Sequence, residues 1–235
     1  MKAVIVIPAR WASTRFPGKP LAMIAGTSLI QRVYERAKLA RRANAIFVAT
    51  DDKRIADHVA SFGGKIVQPK GDFQSGTDRI AAALNLLGGE FDQVINVQGD
   101  EPLIDSESID ALVESLQTTK VDMATLACPI ESDEELRSRD IVKVVMALDG
   151  KALYFSRAPL AGALRHIGVY GYQTRVLRAL ARLEPSPLER AESLEQLRAL
   201  QNGFRIQVLH TPKPHLGIDR PEDVLRVEQE LAKHG

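Results

Sequence analysis

Residues 3–40, AVIVIPARWASTRFPGKPLAMIAGTSLIQRVYERAKLA, decide the fold. Residues 3–7 are an unbroken apolar run, which reads as a strand buried on both faces. Ile30, Val33, Tyr34 and Ala37 then recur at i, i+3, i+4 and i+7, the stripe of an amphipathic helix, with Ser28 where an N-cap belongs. Between the two, Pro17 and Pro20 oppose a helix over 10–20, because proline removes a backbone donor and disfavours helical geometry at the residue before it. The order is therefore strand, cation-bearing loop, helix.

The same alternation repeats down the chain. AIFVATD precedes the helix-period DKRIADHVASFG, with Gly63 as its stop; KIVQ precedes TDRIAAALNLLGG, with Gly88 as its stop; DQVINVQGD precedes SESIDALVESLQ. Such order predicts a doubly wound, mostly parallel, Rossmann-like α/β sheet with helices on both faces. Beyond about residue 120 the strands MATLACPI, IVKVVMAL, KALYFSR and HIGVYGY follow in quicker succession, which predicts an added region of mixed strands. Helices are expected over 187–200 and 221–233, on either side of the strand FRIQVLH. No low-complexity stretch separates halves, so 1–235 reads as one domain, with 121–204 as the added lobe against 1–120 and 205–235.

Composition narrows the function. A formal net charge of +1 gives no global attraction for nucleic acid or anionic membrane, so anion binding must come from local clustering. Residues 1–34 provide it, holding Lys2, Arg10, Arg15, Lys19 and Arg32 with no acidic residue before Glu35. The single cysteine, Cys128, cannot form an internal disulfide and suits core packing; with no apolar stretch of membrane length, a cytoplasmic protein is expected.

Ligands in a sheet of this kind bind at the carboxyl ends of its strands. Three loops stand there: the 9–20 segment, QGDEP with Asp100 and Glu101, and HLGID ending at Asp219. In the first, Gly18 permits close backbone approach, Arg15 can fork onto phosphate oxygens and Lys19 supplies a mobile charge, although a solvated basic turn fits the pattern too. Asp100 suits a hard cation shared with phosphate oxygens, or a helix cap or turn; Asp219 suits the same cation, or an N-cap for the helix whose first turn contains Pro221. A Walker loop fails at Ser13 and Pro20, no G-x-G-x-x-G occurs, the histidines lack zinc spacing, and there is no nucleophile elbow.

Taken together, IPARWASTRFPGKPL, VATDD, QSGTDRI, NVQGDEPLI, MATL, VKVV, ALYFSRAP, LRHIGVYGY, PSPLERAESLEQLR and GIDRPEDV resemble, collinearly over nearly the whole chain, the 3-deoxy-manno-octulosonate (Kdo) cytidylyltransferases. The resemblance implies a nucleotidyltransferase sheet, transfer of CMP from CTP to Kdo with release of pyrophosphate for lipopolysaccharide synthesis, dependence on Mg2+, and a homodimer formed through the added lobe. It implies that Lys19, Arg15 and Asp100 are catalytic, and that Arg10, Ser13, Ser75, Gly76, Thr77 and Gln98 hold CTP. Asp100 and Asp219 would ligate Mg2+, and Arg157, His166, Tyr170, Glu195 and Gln196 would face the sugar. For Tyr170, Glu195 and His166 the residues alone also suit a core tyrosine, a surface charge and a structural histidine.

Two departures from the family pattern bear on the sugar. Only Leu160, Ala161, Gly162 and Ala163 intervene between SRAP and LRHIGVYGY, where the family usually has a longer connection. Leu216 and Arg220 stand near Asp219 where small or hydroxyl residues are usual. An 8-amino variant of Kdo, or another acidic sugar, is therefore an alternative substrate.

Overall fold

The computed structural model describes residues 1–12, 15–71, 73, 75–88, 91–118, 120–212 and 216–233. β1 (Ala3–Pro8) leads through the cationic loop to one 3-10 turn (Lys19–Leu21), a small hairpin of β2 (Met23–Ile24) and β3 (Thr27–Ser28), and α1 (Leu29–Lys38). Ser28 caps α1 by accepting from the Gln31 amide at 3.3 Å. β4 (Ala45–Ala49), α2 (Lys53–Ser61), β5 (Ile66–Val67), α3 (Gly76–Leu86), β6 (Gln93–Asn96) and α4 (Ser106–Thr118) continue the alternation. Gly63 and Gly88 take positive φ just past α2 and α3, as expected of helix stops.

The second half comprises β7 (Met123–Cys128), α5 (Asp133–Arg137), β8 (Lys143–Met146), β9 (Ala152–Ser156), β10 (Leu164–Gln173), α6 (Thr174–Leu180), α7 (Pro187–Glu192), α8 (Gln196–Gln201), β11 (Ile206–His210) and α9 (Asp223–Ala232). Among the described residues the main sheet runs β11-β7-β10-β6-β1-β4-β5, with β8 pairing to β10 and β9 to β8. β1 pairs in parallel with β4 and β6, and β11 with β7. β10 runs antiparallel between β6 and β7. The quick succession of later strands is thus an antiparallel insertion into, and extension of, one continuous sheet.

Alternation along β1 divides the core in two. Ile5 and Ile7 join a cluster with Leu29, Val33, Ile55 and Leu112 from α1, α2 and α4, while Val4 and Val6 join Ile80, Leu84, Val176 and Leu197 from α3, α6 and α8. Cys128 is free and wholly buried in the first cluster, where desolvation pushes its thiol pKa up; it packs.

One helix expectation is corrected. Residues 187–200 form two helices, because Ser193 adopts a left-handed conformation with φ 54°. Ser186 and Glu189 form a capping box at the start of α7, and the Arg198 guanidinium donates to both carboxylate oxygens of the buried Glu189, tying α8 to α7 across the break. The strain of a non-glycine residue at positive φ is held by interactions on both sides of it.

β1, β6 and β11 are mutually parallel across β10 and β7, so the loops after them emerge at one edge of the sheet. β1 has β4 on one side and β6 on the other, the switch point at which such sheets leave a crevice. There the 98–101 loop lies against the end of β1: a Cβ on Gly99 would stand 2.9 Å from the Pro8 carbonyl oxygen, a backbone atom. Gly99→Ala is expected to lower the unfolding free energy by about 1–3 kcal/mol, measurable by urea denaturation.

Candidate active site

Three loops distant in sequence meet at a single ammonium group. Lys19 Nζ donates to Asp100 Oδ2 at 2.8 Å and to the Ile218 carbonyl at 2.8 Å, and lies 3.6 Å from Asp219 Oδ1. Arg15 Nη2 donates to the same Asp219 oxygen at 3.1 Å. The 216–219 segment is fixed by the Ile218 amide donating to the Asp100 carbonyl at 2.9 Å. Asp219 does not cap α9, which has no side-chain cap; the amides of Asp219 and Arg220 instead donate to Asp223, the first residue of that helix. Likewise Asp105, not Asp100, accepts from the first-turn amides of α4.

Around this junction lies a cavity of about 290 Å3 lined by Arg10, Arg15, Lys19, Ser75, Gly76, Gln98, Asp100 and Asp219. An adjoining cavity of about 260 Å3 is lined by Gly76, Thr77, Gln98, Tyr170, Glu195 and Gln196. Gly76, Gln98 and Glu195 border both, so two reactants can meet there. Ser75 caps α3, leaving Gly76 and Thr77 in the first turn, where amides face outward for polar recognition.

The break at Ser193 sets Glu195 at the start of α8, its surface open to both cavities. Desolvation by the surrounding walls raises its carboxyl pKa, opposed by hydrogen bonds from the Thr77 and Ser75 hydroxyls. Gln196 is buried, with its Nε2 lacking a hydrogen-bond partner. An orphaned buried donor at a cavity wall is a group awaiting a ligand or water.

His166 and Tyr170 lie four residues apart on β10, a distance of roughly 13 Å in a regular strand. Their ring centroids are 5.4 Å apart because the register slips between Ile167 and Tyr170 against β7. Thr125 holds this bulge, its Oγ1 lying 3.2 and 2.9 Å from the Ile167 and Val169 carbonyls and 3.0 Å from His166 Nε2. Burial pushes the His166 imidazole pKa down to about 3. Burial, then Tyr172 and Glu195, hold the Tyr170 phenol protonated. His166 itself lines a more open groove that borders the first cavity at Arg15 and Asp219.

Not every expected residue converges. Arg157 lines neither adjoining cavity; its guanidinium is committed to the carbonyls of Glu192 at 3.1 Å and Arg139 at 3.0 Å. Ser13 lies outside the described residues. Sequence reasoning missed Arg79, a buried cation on α3 that lines the first cavity, donates to Asp51 Oδ1 at 2.6 Å and sits 5.0 Å from the Phe73 ring. Its signal was an arginine in the first turn of a helix, where the macrodipole disfavours a cation lacking an acidic partner. Glu101, beside Asp100 in QGDEP, is a second residue for which the sequence pattern suggests no role. Burial, then Asp100, raise its pKa to about 8, and its Oε2 has no hydrogen-bond partner.

Among the described residues no trio of His, Cys, Asp or Glu forms a closed metal cage. Asp100 and Asp219 on Lys19 are instead two hard carboxylates beside a cation-lined cavity, the donor set with which Mg2+ is held when phosphate oxygens complete its shell. The residues present fit the ion.

A cation-lined cavity at the switch point of a mostly parallel sheet, sharing walls with a second cavity, is an arrangement suited to a nucleotidyltransferase, and comparisons with known proteins show that class. The chain matches the cytidylyltransferase family model over residues 4–206. It is 47% identical to the 3-deoxy-manno-octulosonate cytidylyltransferase of Syntrophotalea carbinolica, over 98% of this chain and 99% of that protein. It is also 47% identical to the 8-amino-3,8-dideoxy-manno-octulosonate cytidylyltransferase of Shewanella amazonensis, over 98% and 99%. The solved structure of a CMP:2-keto-3-deoxy-manno-octonic acid synthetase complexed with CTP superposes with a TM-score of 0.95 at 39% identity, covering all of both chains. The chain belongs to the 3-deoxy-manno-octulosonate cytidylyltransferase family.

The buried, neutral His166 has a testable consequence. Its folded pKa, about 3, lies below the unfolded value of about 6.5, so its contribution to stability is whole above pH 6.5 and is lost as pH falls from there toward 3. Urea midpoints should fall over that window, and His166→Gln should flatten the profile between pH 6.5 and 4.

Proposed function

We propose that this chain transfers CMP from CTP to the anomeric hydroxyl of Kdo, or of its 8-amino variant, releasing pyrophosphate. The observation that carries the reading is the Lys19 junction, where a cation, two carboxylates and a phosphate-sized cavity meet beside a second cavity that shares three of its walls.

Arg10, Arg15 and Lys19 hold the triphosphate, and the buried Arg79 adds charge from the α3 side. Lys19 is positioned to stabilise charge developing at the α-phosphate as the sugar oxygen approaches and the pyrophosphate departs. Ser75, Gly76, Thr77 and Gln98 define the base and ribose end through hydroxyls, first-turn amides and a side-chain amide. Asp100 and Asp219 hold Mg2+, which when bound supplies charge neutralisation at the phosphates. On binding CTP, Lys19 and Arg15 exchange carboxylate partners for phosphate oxygens, so the free site is already neutralised and does not carry bare, repelling charges.

Glu195, Gln196 and Tyr170 face the sugar hydroxyls, Gln196 through its orphaned amide. His166 stays neutral and supports the Tyr170 ring. With Arg157 committed to two carbonyls, pairing it with the sugar carboxylate requires the 157–163 connection to shift, and the shortness of that connection in this chain limits the reach. A homodimer through the β8–β9 hairpin is supported by the exposed Leu148 and Leu153. Among the described residues no helix is long and apolar enough to cross a membrane.

Two experiments test this reading. Purified protein incubated with CTP, Mg2+ and, separately, Kdo, 8-amino-Kdo and sialic acid should release pyrophosphate with at least one Kdo sugar; release with neither refutes it. Lys19→Ala and Asp100→Ala should each cut kcat by about a hundredfold or more while the circular dichroism melt stays cooperative. Near-normal turnover in either would remove that residue from the machinery.

A further inference from the structure

We propose that Trp11 and Arg54 form a clamp that sets the phosphate-binding loop, with Arg54 acting as a positioning residue for CTP affinity. The inference rests on the assignment of the 9–20 loop to CTP.

Arg15 and Lys19 are tied to Asp219 and Asp100 at the far end of the loop, so its near end, which carries Arg10, needs an anchor of its own. The Ala9 amide anchors the start of the loop on the Ala49 carbonyl at 2.9 Å, and the Gly18 amide closes it by donating to the Trp11 carbonyl at 3.2 Å. The Trp11 side chain completes the closure. A Cβ on Gly18, at φ +71°, would stand 3.0 Å from Trp11 Cη2 and 3.1 Å from Cζ2, so the indole occupies the space a side chain there would need. Gly18 immediately precedes Lys19, and the Leu21 amide bonds back to the Gly18 carbonyl at 2.9 Å, so the position of the indole sets the turn that presents Lys19.

The indole is held from outside the loop. The Arg54 guanidinium carbon lies 3.4 Å from the Trp11 ring centroid, a close cation–π stack. That guanidinium is itself held in a fork, with Nε donating to Asp52 Oδ1 at 3.0 Å and Nη2 to Oδ2 at 2.6 Å. Asp52 is the N-cap of α2, accepting from the Arg54 amide at 2.9 Å, and α2 is rooted in the core through Ile55 and Val59. The loop thus borrows rigidity from a helix that lines neither cavity of the active site.

The chain has one tryptophan, so its emission reports the clamp directly. Arg54 is exposed and its removal leaves the core intact. Arg54→Ala should change the emission of the ligand-free protein and raise the KM for CTP roughly three- to twentyfold, with kcat and the sugar KM within about twofold of wild type. Arg54→Lys, which keeps a cation, should recover much of the CTP affinity, and Trp11→Phe should be milder than Trp11→Ala. An unchanged CTP KM and unchanged emission in Arg54→Ala overturn the clamp, as does an equal loss for both substrates. A wild-type chain that neither binds CTP nor releases pyrophosphate overturns both the clamp and the functional reading, whereas CTP binding equally well to wild type and Arg54→Ala overturns the clamp alone.

Discussion

The ammonium of Lys19 is the point on which the site depends. Through it the first, fourth and last parallel-strand loops of the nucleotide half share one set of contacts, with Asp100 81 positions and Ile218 199 positions along the chain from Lys19. A lysine only partly exposed needs oxygen partners to offset its lost hydration, and the two carboxylates need a cation. Each group's requirement is met by the others, so the site is assembled before any ligand arrives.

The sheet makes that meeting possible. Parallel strands bring their following loops to one edge, and the antiparallel β10 carries His166 and Tyr170 to the same region from the opposite direction. The bulge at Ile167–Tyr170 and the helix break at Ser193 then provide the second cavity's walls. Both depart from regular secondary structure, and both occur where regularity would leave the cavity unlined.

Much of this was legible in residues whose signals are local. The alternation of apolar runs and amphipathic stripes, Ser28 as a cap and Gly63 and Gly88 as stops placed β1 to α4 and located the three loops. The helix break was not legible, because Ser193 is neither glycine nor asparagine and its conformation is imposed by the Glu189–Arg198 pair, a tertiary contact. The bulge was hidden in GVYG, since nothing local says that Thr125 will hold it. Asp219 and Asp100 could not be separated from capping or turn aspartates by sequence, since the deciding facts are tertiary: Asp105 accepts from the first-turn amides of α4, and both Asp100 and Asp219 turn toward Lys19. The path of Arg157 was equally invisible, set by carbonyls on α7 and beside α5.

The position of β10 also governs the order in which the protein can be made. β6 and β7 are synthesised well before it, yet each has β10 as a sheet neighbour, so until residue 173 is available the nascent sheet has an unpaired edge at β6 and lacks the strand that joins β7 to it. Loop-closure entropy must be met before these distant pairings return anything, which slows folding and leaves sticky edges open for longer. Asp219, beyond β11, is reached later still. The first part of the chain can pair β6-β1-β4-β5 among themselves but leaves β6 with an open edge and β7 apart from it, and the site is complete only once Asp219 has been made.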